Sequence, residues 1–275
     1  MTDTASYRIS TDFLVCEGRR LFTVLLEPEG TPVCGSVLFL APFAEEMHKS
    51  RRTVALQARA MAAAGYNVML LDLSGCGDSS GSFADASWSA WKEDAHYAVS
   101  VLTDRVAQPV TLWGLRFGAL LACELAQELP DIERLLMWQP TLNGEQYIDQ
   151  FLRFELAGQA LKGESGFDRA GLWNELRSGR SLDVAGYELS SQLGLGISHV
   201  RLGNLKPDCP VIWMDVGNPA ARQPTIASKT VIDRWQEQGV SVLWMSAEGE
   251  SFWRNVDAAD SPALLSATQE VLTRT

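Results

Sequence analysis

VTLWGLRFGALLACELA, residues 110–126, is the stretch whose reading decides the fold. A short apolar run, Val110–Trp113, enters Gly114-Leu115-Arg116-Phe117-Gly118 and passes straight into an apolar helical segment, Phe117–Leu129. A turn that takes a strand into a helix this abruptly presses the two elements together. Glycine on either side keeps a Cβ out of the gap. The middle residue of such a turn stands at the tip of the strand. Here it is arginine, whose guanidinium stays protonated and offers no usable lone pair.

Outward from this turn the chain alternates between the two periodicities. β-rich runs at 20–27 (RLFTVLLE) and 36–41 (SVLFLA) flank a turn around Pro28, Gly30 and Pro32. A helical pattern follows from Ser50, a candidate N-cap, to Gly65. Tyr66–Asp72 is a continuous apolar run of strand length, as expected of a strand buried on both faces. Further helices are expected at Trp88–Thr103, near Thr225–Gln238 and at Ser261–Thr273, with strands at Ile132–Gln139, Val211–Val216 and Ser241–Met245. This alternation predicts an α/β protein with a mostly parallel central sheet and helices on both faces. Residues 141–205 break the rhythm, so the chain reads as a single domain, 1–275, with a helical cap insertion at about 141–205.

Two more motifs bear on the fold. YNVMLLDLSGCGDSSGSF (66–83) ends a strand at Asp72 and continues as D-x-x-G-x-G-x-S-x-G. It also half-fits the dinucleotide pattern G-x-G-x-x-G, but Ser80 replaces the third glycine and no helix opens there. SVLFLAPFAEEMHKSRR (36–52) ends its strand in Pro42-Phe43, followed by the charged run Glu45, Glu46, His48, Lys49, Arg51 and Arg52. Taken with the G-x-x-x-G turn, these segments resemble the α/β-hydrolase fold, in which that turn is the nucleophile elbow. AEEMHKSRR, GLRFGALLA and EGESFW (248–253) more narrowly resemble the second hydrolase type associated with exosortase A systems. The likeness spans roughly residues 20–270. It implies a bacterial hydrolase accompanying exopolysaccharide synthesis and the sorting of PEP-CTERM proteins, with arginine in the elbow as a feature of the subgroup. It also implies that the segment after residue 41, where related enzymes carry His-Gly, is where an oxyanion-hole amide belongs.

A Ser-His-acid triad needs a nucleophile, a base and an acid that orients the base. Asp215 stands near the acid's place, slightly early, but no histidine follows His199. The triad mechanism is excluded by residue type. What remains is a ring of charged and aromatic groups. Arg116 at a helix N-terminus opposes the helix dipole and calls for a compensating anion, supplied by Glu45, Glu46, Glu250 or a ligand. The candidate catalytic residues are therefore Arg116, Glu45 and Glu250, with Arg116 stabilising an oxyanion and a glutamate activating water. Candidate substrate-binding residues are Phe43, Glu46, His48, Leu115, Phe117, Trp138 and Phe252. Cys76, in the Gly/Ser loop, is an alternative nucleophile that would need His48 to fold across. Tyr147, Phe151, Phe154, Trp173 and Tyr187 in the insertion either line an apolar acyl or glycan site or form the cap's own core.

Composition narrows the partners. Of 275 residues, 46% are hydrophobic and 21% charged, enough for a sizeable core. Lys plus Arg number 23 against 34 Asp plus Glu, a net charge of −11, which repels phosphate backbones and excludes nucleic acid as the expected partner. No apolar run approaches the roughly 20 residues that span a bilayer. MTDTASYRIS has neither a basic start nor an apolar stretch, and the five cysteines are scattered as reduced thiols would be. The expectation is a cytoplasmic location. Three scattered histidines (48, 96 and 199) lack ligand spacing, so neither metal nor cofactor is expected. Two functions remain open. One is a hydrolase or acyl-transfer enzyme for ester- or thioester-like small molecules, with room for a homo-oligomer. The other is an inactive pseudo-hydrolase that binds an anionic ligand or partner protein.

Overall fold

The computed structural model describes residues 6–106, 109–162, 167–217, 223–255 and 260–273. Strands β1 (Ser6–Cys16), β2 (Arg19–Glu29) and β3 (Gly35–Leu40) lead into helix α1 (Ala44–Ala63), and β4 (Tyr66–Leu71) into α2 (Trp88–Arg105). β5 (Val110–Leu115), α3 (Phe117–Glu128) and β6 (Ile132–Trp138) follow. The insertion contains α4 (Gly144–Lys162), α5 (Arg169–Arg177), a hairpin of β7 (Leu182–Val184) and β8 (Tyr187–Leu189), and α6 (Ser191–His199). The chain then returns to the sheet through β9 (Val211–Gly217), α7 (Ile226–Glu237), β10 (Val242–Glu248) and α8 (Pro262–Thr273).

Eight strands form one sheet in the order β1-β2-β4-β3-β5-β6-β9-β10. β2 runs antiparallel to both β1 and β4, and every later pairing is parallel. Period-two alternation along the central strands sends side chains to two separate cores. Leu38, Leu40, Leu112, Leu135 and Met137 face α2, α3, α7 and the insertion. Val37, Phe39, Trp113, Leu115, Leu136 and Trp138 face α1 and α8. α3 is buried nearly all round, which is why its sequence carries no polar stripe.

Three elements differ from the sequence expectation. β1 is an exposed edge strand whose mixed side chains hide its period. Its pairing is set by a two-residue turn with both φ positive, Glu17 (48°) and Gly18 (79°), the geometry that matches the twist of a hairpin. α1 begins at Ala44, six residues before the expected Ser50. Phe43 is its N-cap without a side-chain cap, and Glu45 and Glu46 in the first turn favour the start through the helix dipole. The small β7–β8 hairpin inside the insertion also carried no sequence signal. The Gly/Ser loop after β4 is organised by Asp72, whose Oδ2 accepts from the Asp78 N–H, while Arg51 bridges its carboxylate. The loop then passes through a single 3-10 turn before α2, so no helix opens at a glycine-rich phosphate cradle.

Candidate active site

The elbow is built as its glycines require. A Cβ on Gly118 would lie 1.9 Å from the Leu40 carbonyl oxygen, and one on Gly114 would lie 2.4 Å from the Ala119 Cα. Arg116 between them has φ 55° and ψ −115°, a conformation that costs a non-glycine residue about 1–3 kcal/mol. Three backbone hydrogen bonds hold it there. Its N–H donates to Trp138 O (2.9 Å), and its carbonyl accepts from Ala119 (3.2 Å) and Thr141 (3.1 Å). The side chain leaves the sheet's carboxyl edge between the two cores and is 11% exposed.

Glu46 meets it from the first turn of α1. Arg116 Nε lies 3.4 Å from Glu46 Oε1, and the Tyr147 hydroxyl of α4 donates to Glu46 Oε2 at 2.8 Å. The guanidinium also lies over the rings of Tyr147 (6.0 Å) and Trp253 (5.6 Å). Burial pushes the Tyr147 phenol well above its ordinary range, reinforced by the neighbouring Glu46 carboxylate and opposed by Arg116. A hydrogen bond with the Phe43 backbone acts in the same opposing sense. Among the described residues the two terminal guanidinium nitrogens of Arg116 have no hydrogen-bond partner.

Phe43 anchors the floor. Its ring touches those of Phe83, Trp91, Phe117, Tyr147 and Phe151 at centroid distances of 5.1–6.1 Å, and Phe117 stacks on Tyr147 at 5.6 Å. Above it opens a cleft of about 790 Å³ between α1 and α4, whose walls include Glu45, Glu46, Phe151, Phe154, Trp253 and Arg254. That volume suits a small-molecule ligand.

The structure therefore brings Arg116, Glu46, Phe43 and Phe117 together with Tyr147 and Trp253. Glu45 lines the cleft but is turned to Lys49 (3.6 Å) and accepts from the Tyr187 hydroxyl (3.2 Å). His48 and Glu250 are exposed, and among the described residues neither is hydrogen-bonded or ion-paired to Arg116. Leu115, Trp138 and Phe252 lie in the α1/α8 core, on the far side of the sheet from the cap. Alternation along β5 and β6 decides this for Leu115 and Trp138, and the Trp138 indole donates to Thr268 Oγ1 at 3.1 Å. Asp215 is occupied: the indoles of Trp213 (3.0 Å) and Trp244 (2.8 Å) donate to its two carboxylate oxygens. The rest of the loop read after β9, Asn218-Pro219, lies outside the described residues. The loop after β10 does reach the elbow, bringing the indole of Trp253 to 5.6 Å from the Arg116 guanidinium carbon. Cys76 is buried, and burial together with nearby Asp72 pushes its thiol up to about 12, so it is no nucleophile at neutral pH. Among the described residues no group of three metal-ligating side chains occurs, and no helix is long and apolar enough to cross a membrane.

Sequence reasoning missed the part played by Trp253, Arg153 and Arg254. Trp253 falls inside the EGESFW motif, so its position was flagged. The two arginines carried no spacing signal, because the cleft joins α1, α4 and the β10 loop, which are far apart in sequence.

Comparison with known proteins agrees with this architecture. The family described as Serine aminopeptidase, S33 matches residues 34–164. No curated protein matches the chain. Among solved structures, the ferulic acid-bound Est1E from Butyrivibrio proteoclasticus is similar at 17% identity over 95% of this chain and 96% of that one, with a TM-score of 0.67. An esterase from Pyrococcus furiosus is similar at 16% identity over 98% and 91%, TM-score 0.60. The thioesterase domain of the curacin biosynthetic pathway is similar at 16% identity over 98% and 100%, TM-score 0.58. Strand order, elbow and neighbours agree: the chain has the fold of the α/β-hydrolase superfamily.

Proposed function

We propose that the protein hydrolyses an ester- or thioester-type acyl compound without a Ser-His-acid triad. The observation that carries this reading is the cluster of Arg116 on its retained, strained elbow with Glu46 and Tyr147, the latter two lining the cleft. Keeping a positive φ on an arginine costs stability, and such strain persists where the site uses it. In this reading the acyl chain lies along the aromatic wall and its carbonyl oxygen faces the free guanidinium nitrogens of Arg116. Glu46 takes a proton from water, and the hydroxide adds to the carbonyl carbon. Arg116 holds the resulting oxyanion. The tetrahedral intermediate then expels an alkoxide or thiolate, which recovers the proton from Glu46. The resemblance of the three motifs supports a bacterial envelope-polysaccharide or protein-sorting pathway as the setting, and a cytoplasmic location. A homo-oligomer is compatible with this role.

One observation favours a second reading, an inactive protein that binds an anionic ligand. Glu46 already accepts from two donors, so a general base would first have to be released from Arg116 and Tyr147. Hydrolysis of acyl esters and thioesters from short to long chain, by the wild type, Arg116→Ala and Glu46→Gln, separates the two. Turnover that falls by about 10²–10³ in a folded Arg116→Ala protein supports the enzyme. Equal or absent turnover in all three sinks it and leaves the binding protein.

A further inference from the structure

We infer that the cleft takes an amphiphilic anion: an alkyl or acyl chain on the aromatic wall, with a phosphate or carboxylate head reaching Arg153 and Arg254. This rests on the reading that the cleft is the ligand site, and it is independent of whether catalysis occurs there. Phe43, Phe151 and Trp253 are buried while Arg153 and Arg254 are exposed, so the wall is apolar and the cations stand at the rim. Phe154, beside Arg153, leaves an apolar side chain 60% exposed at the same rim. A chain lying across Phe154 would remove that surface from water.

The charge balance singles out the two arginines. Glu46 is matched by Arg116, and Glu45 by Lys49 one turn on. Asp149, the acid that feels Arg153, is held bidentately by Arg169 and accepts from the Trp173 indole. Among the described residues neither Arg153 nor Arg254 has an ion-pair partner. Two guanidinium groups with no ion-pair partner among the described residues thus stand at the mouth of the cleft on a chain of net charge −11. On so acidic a surface a local excess of positive charge serves to draw in and hold an anion, and the guanidinium fork suits phosphate and carboxylate alike.

The test is binding of chain-matched probes, below their micelle concentrations, to the full chain by titration calorimetry: dodecyl phosphate, dodecanoate, dodecanol and inorganic phosphate. Dodecyl phosphate or dodecanoate should bind at least about tenfold tighter than dodecanol, the scale of one charge-assisted contact. Whichever of the two binds tighter assigns the head group. Inorganic phosphate alone should bind far more weakly than the chain-bearing anion. In Arg153→Gln/Arg254→Gln the anions should fall to the dodecanol level, with dodecanol binding and the circular dichroism spectrum unchanged. Equal affinity for dodecanol and the anions overturns the inference, as does wild-type affinity in the double variant, or failure of every chain to bind. Because no turnover is read, anion binding in a protein that hydrolyses nothing leaves this inference standing and removes only the catalytic reading.

Discussion

Replacing Arg116 by glutamine, Glu46 by glutamine, and both together measures what the pair at the elbow contributes. The contact is 3.4 Å, with side chains 11% and 19% exposed, so the pair is mostly but not wholly withdrawn from water. At that distance and an effective dielectric near 20 the gross attraction is about 4–5 kcal/mol, reduced by the cost of desolvating both ions. Removing one partner strands the other, which costs about 3–5 kcal/mol for a buried pair, and the low end applies to this partly exposed one. In a chain of this size 1 kcal/mol moves Tm by about 2–4 °C, so each single variant should melt about 6–12 °C below the wild type. The double variant strands no charge and should lose less than the sum, with a coupling of about 1–3 kcal/mol. Thermal unfolding followed by circular dichroism reads all three. A single Arg116→Gln variant that melts within a degree of the wild type, with additive effects, would refute the reasoning. It would mean that Glu46 does not need the arginine for stability and that the guanidinium is held in place for a ligand alone.

Three further outcomes are expected. Gly118→Ala should destabilise by at least about 3 kcal/mol, since its Cβ would meet the Leu40 carbonyl oxygen at 1.9 Å, and a chemical denaturation midpoint near the wild-type value would contradict the elbow packing. Under native conditions a thiol reagent should modify Cys34 and leave Cys16, Cys76, Cys123 and Cys209 intact, because only Cys34 is exposed; mass spectrometry showing more than one adduct would contradict the burial. Alkaline pH should destabilise the protein. The Tyr147 phenol is raised well above its ordinary range, and the Tyr187 phenol, chiefly by burial, to about 12. A raised folded pKa gives stability that is complete below the unfolded value, near 10, and lost as pH climbs toward the folded one. Tm should therefore fall above about pH 10, and less steeply in Tyr147→Phe. A Tyr147→Phe curve parallel to the wild type would remove Tyr147 from the explanation.

The legible part of the molecule follows from local rules. Gly114 and Gly118 around Arg116 announced a tight strand-to-helix turn because no other residue tolerates the approach. Apolar runs at Tyr66–Asp72 and Val110–Trp113 announced strands covered on both faces. No histidine follows His199, so residue type alone shows that the loop after the last strand carries no imidazole.

Side-chain destinations were a different matter. Trp138 and Leu115 stand beside the elbow in sequence, yet the sheet's pleat sends them beneath it toward α8. Phe43 and Glu46, from a helix start that carries no capping residue, are turned toward Arg116. Which of three glutamates meets the guanidinium depends on the angle at which α1 leaves β3. That Tyr147 joins them depends on how α4 of the insertion lies over the elbow. Sequence by itself determined the fold class and the tight turn with arginine at its tip, because these rest on residue type and short-range spacing. Only the tertiary structure decided the Arg116–Glu46–Tyr147 cluster and the arginine-rimmed cleft, because each joins segments distant in sequence, 70 residues for Arg116–Glu46 and 101 for Tyr147–Glu46, whose meeting is set by packing.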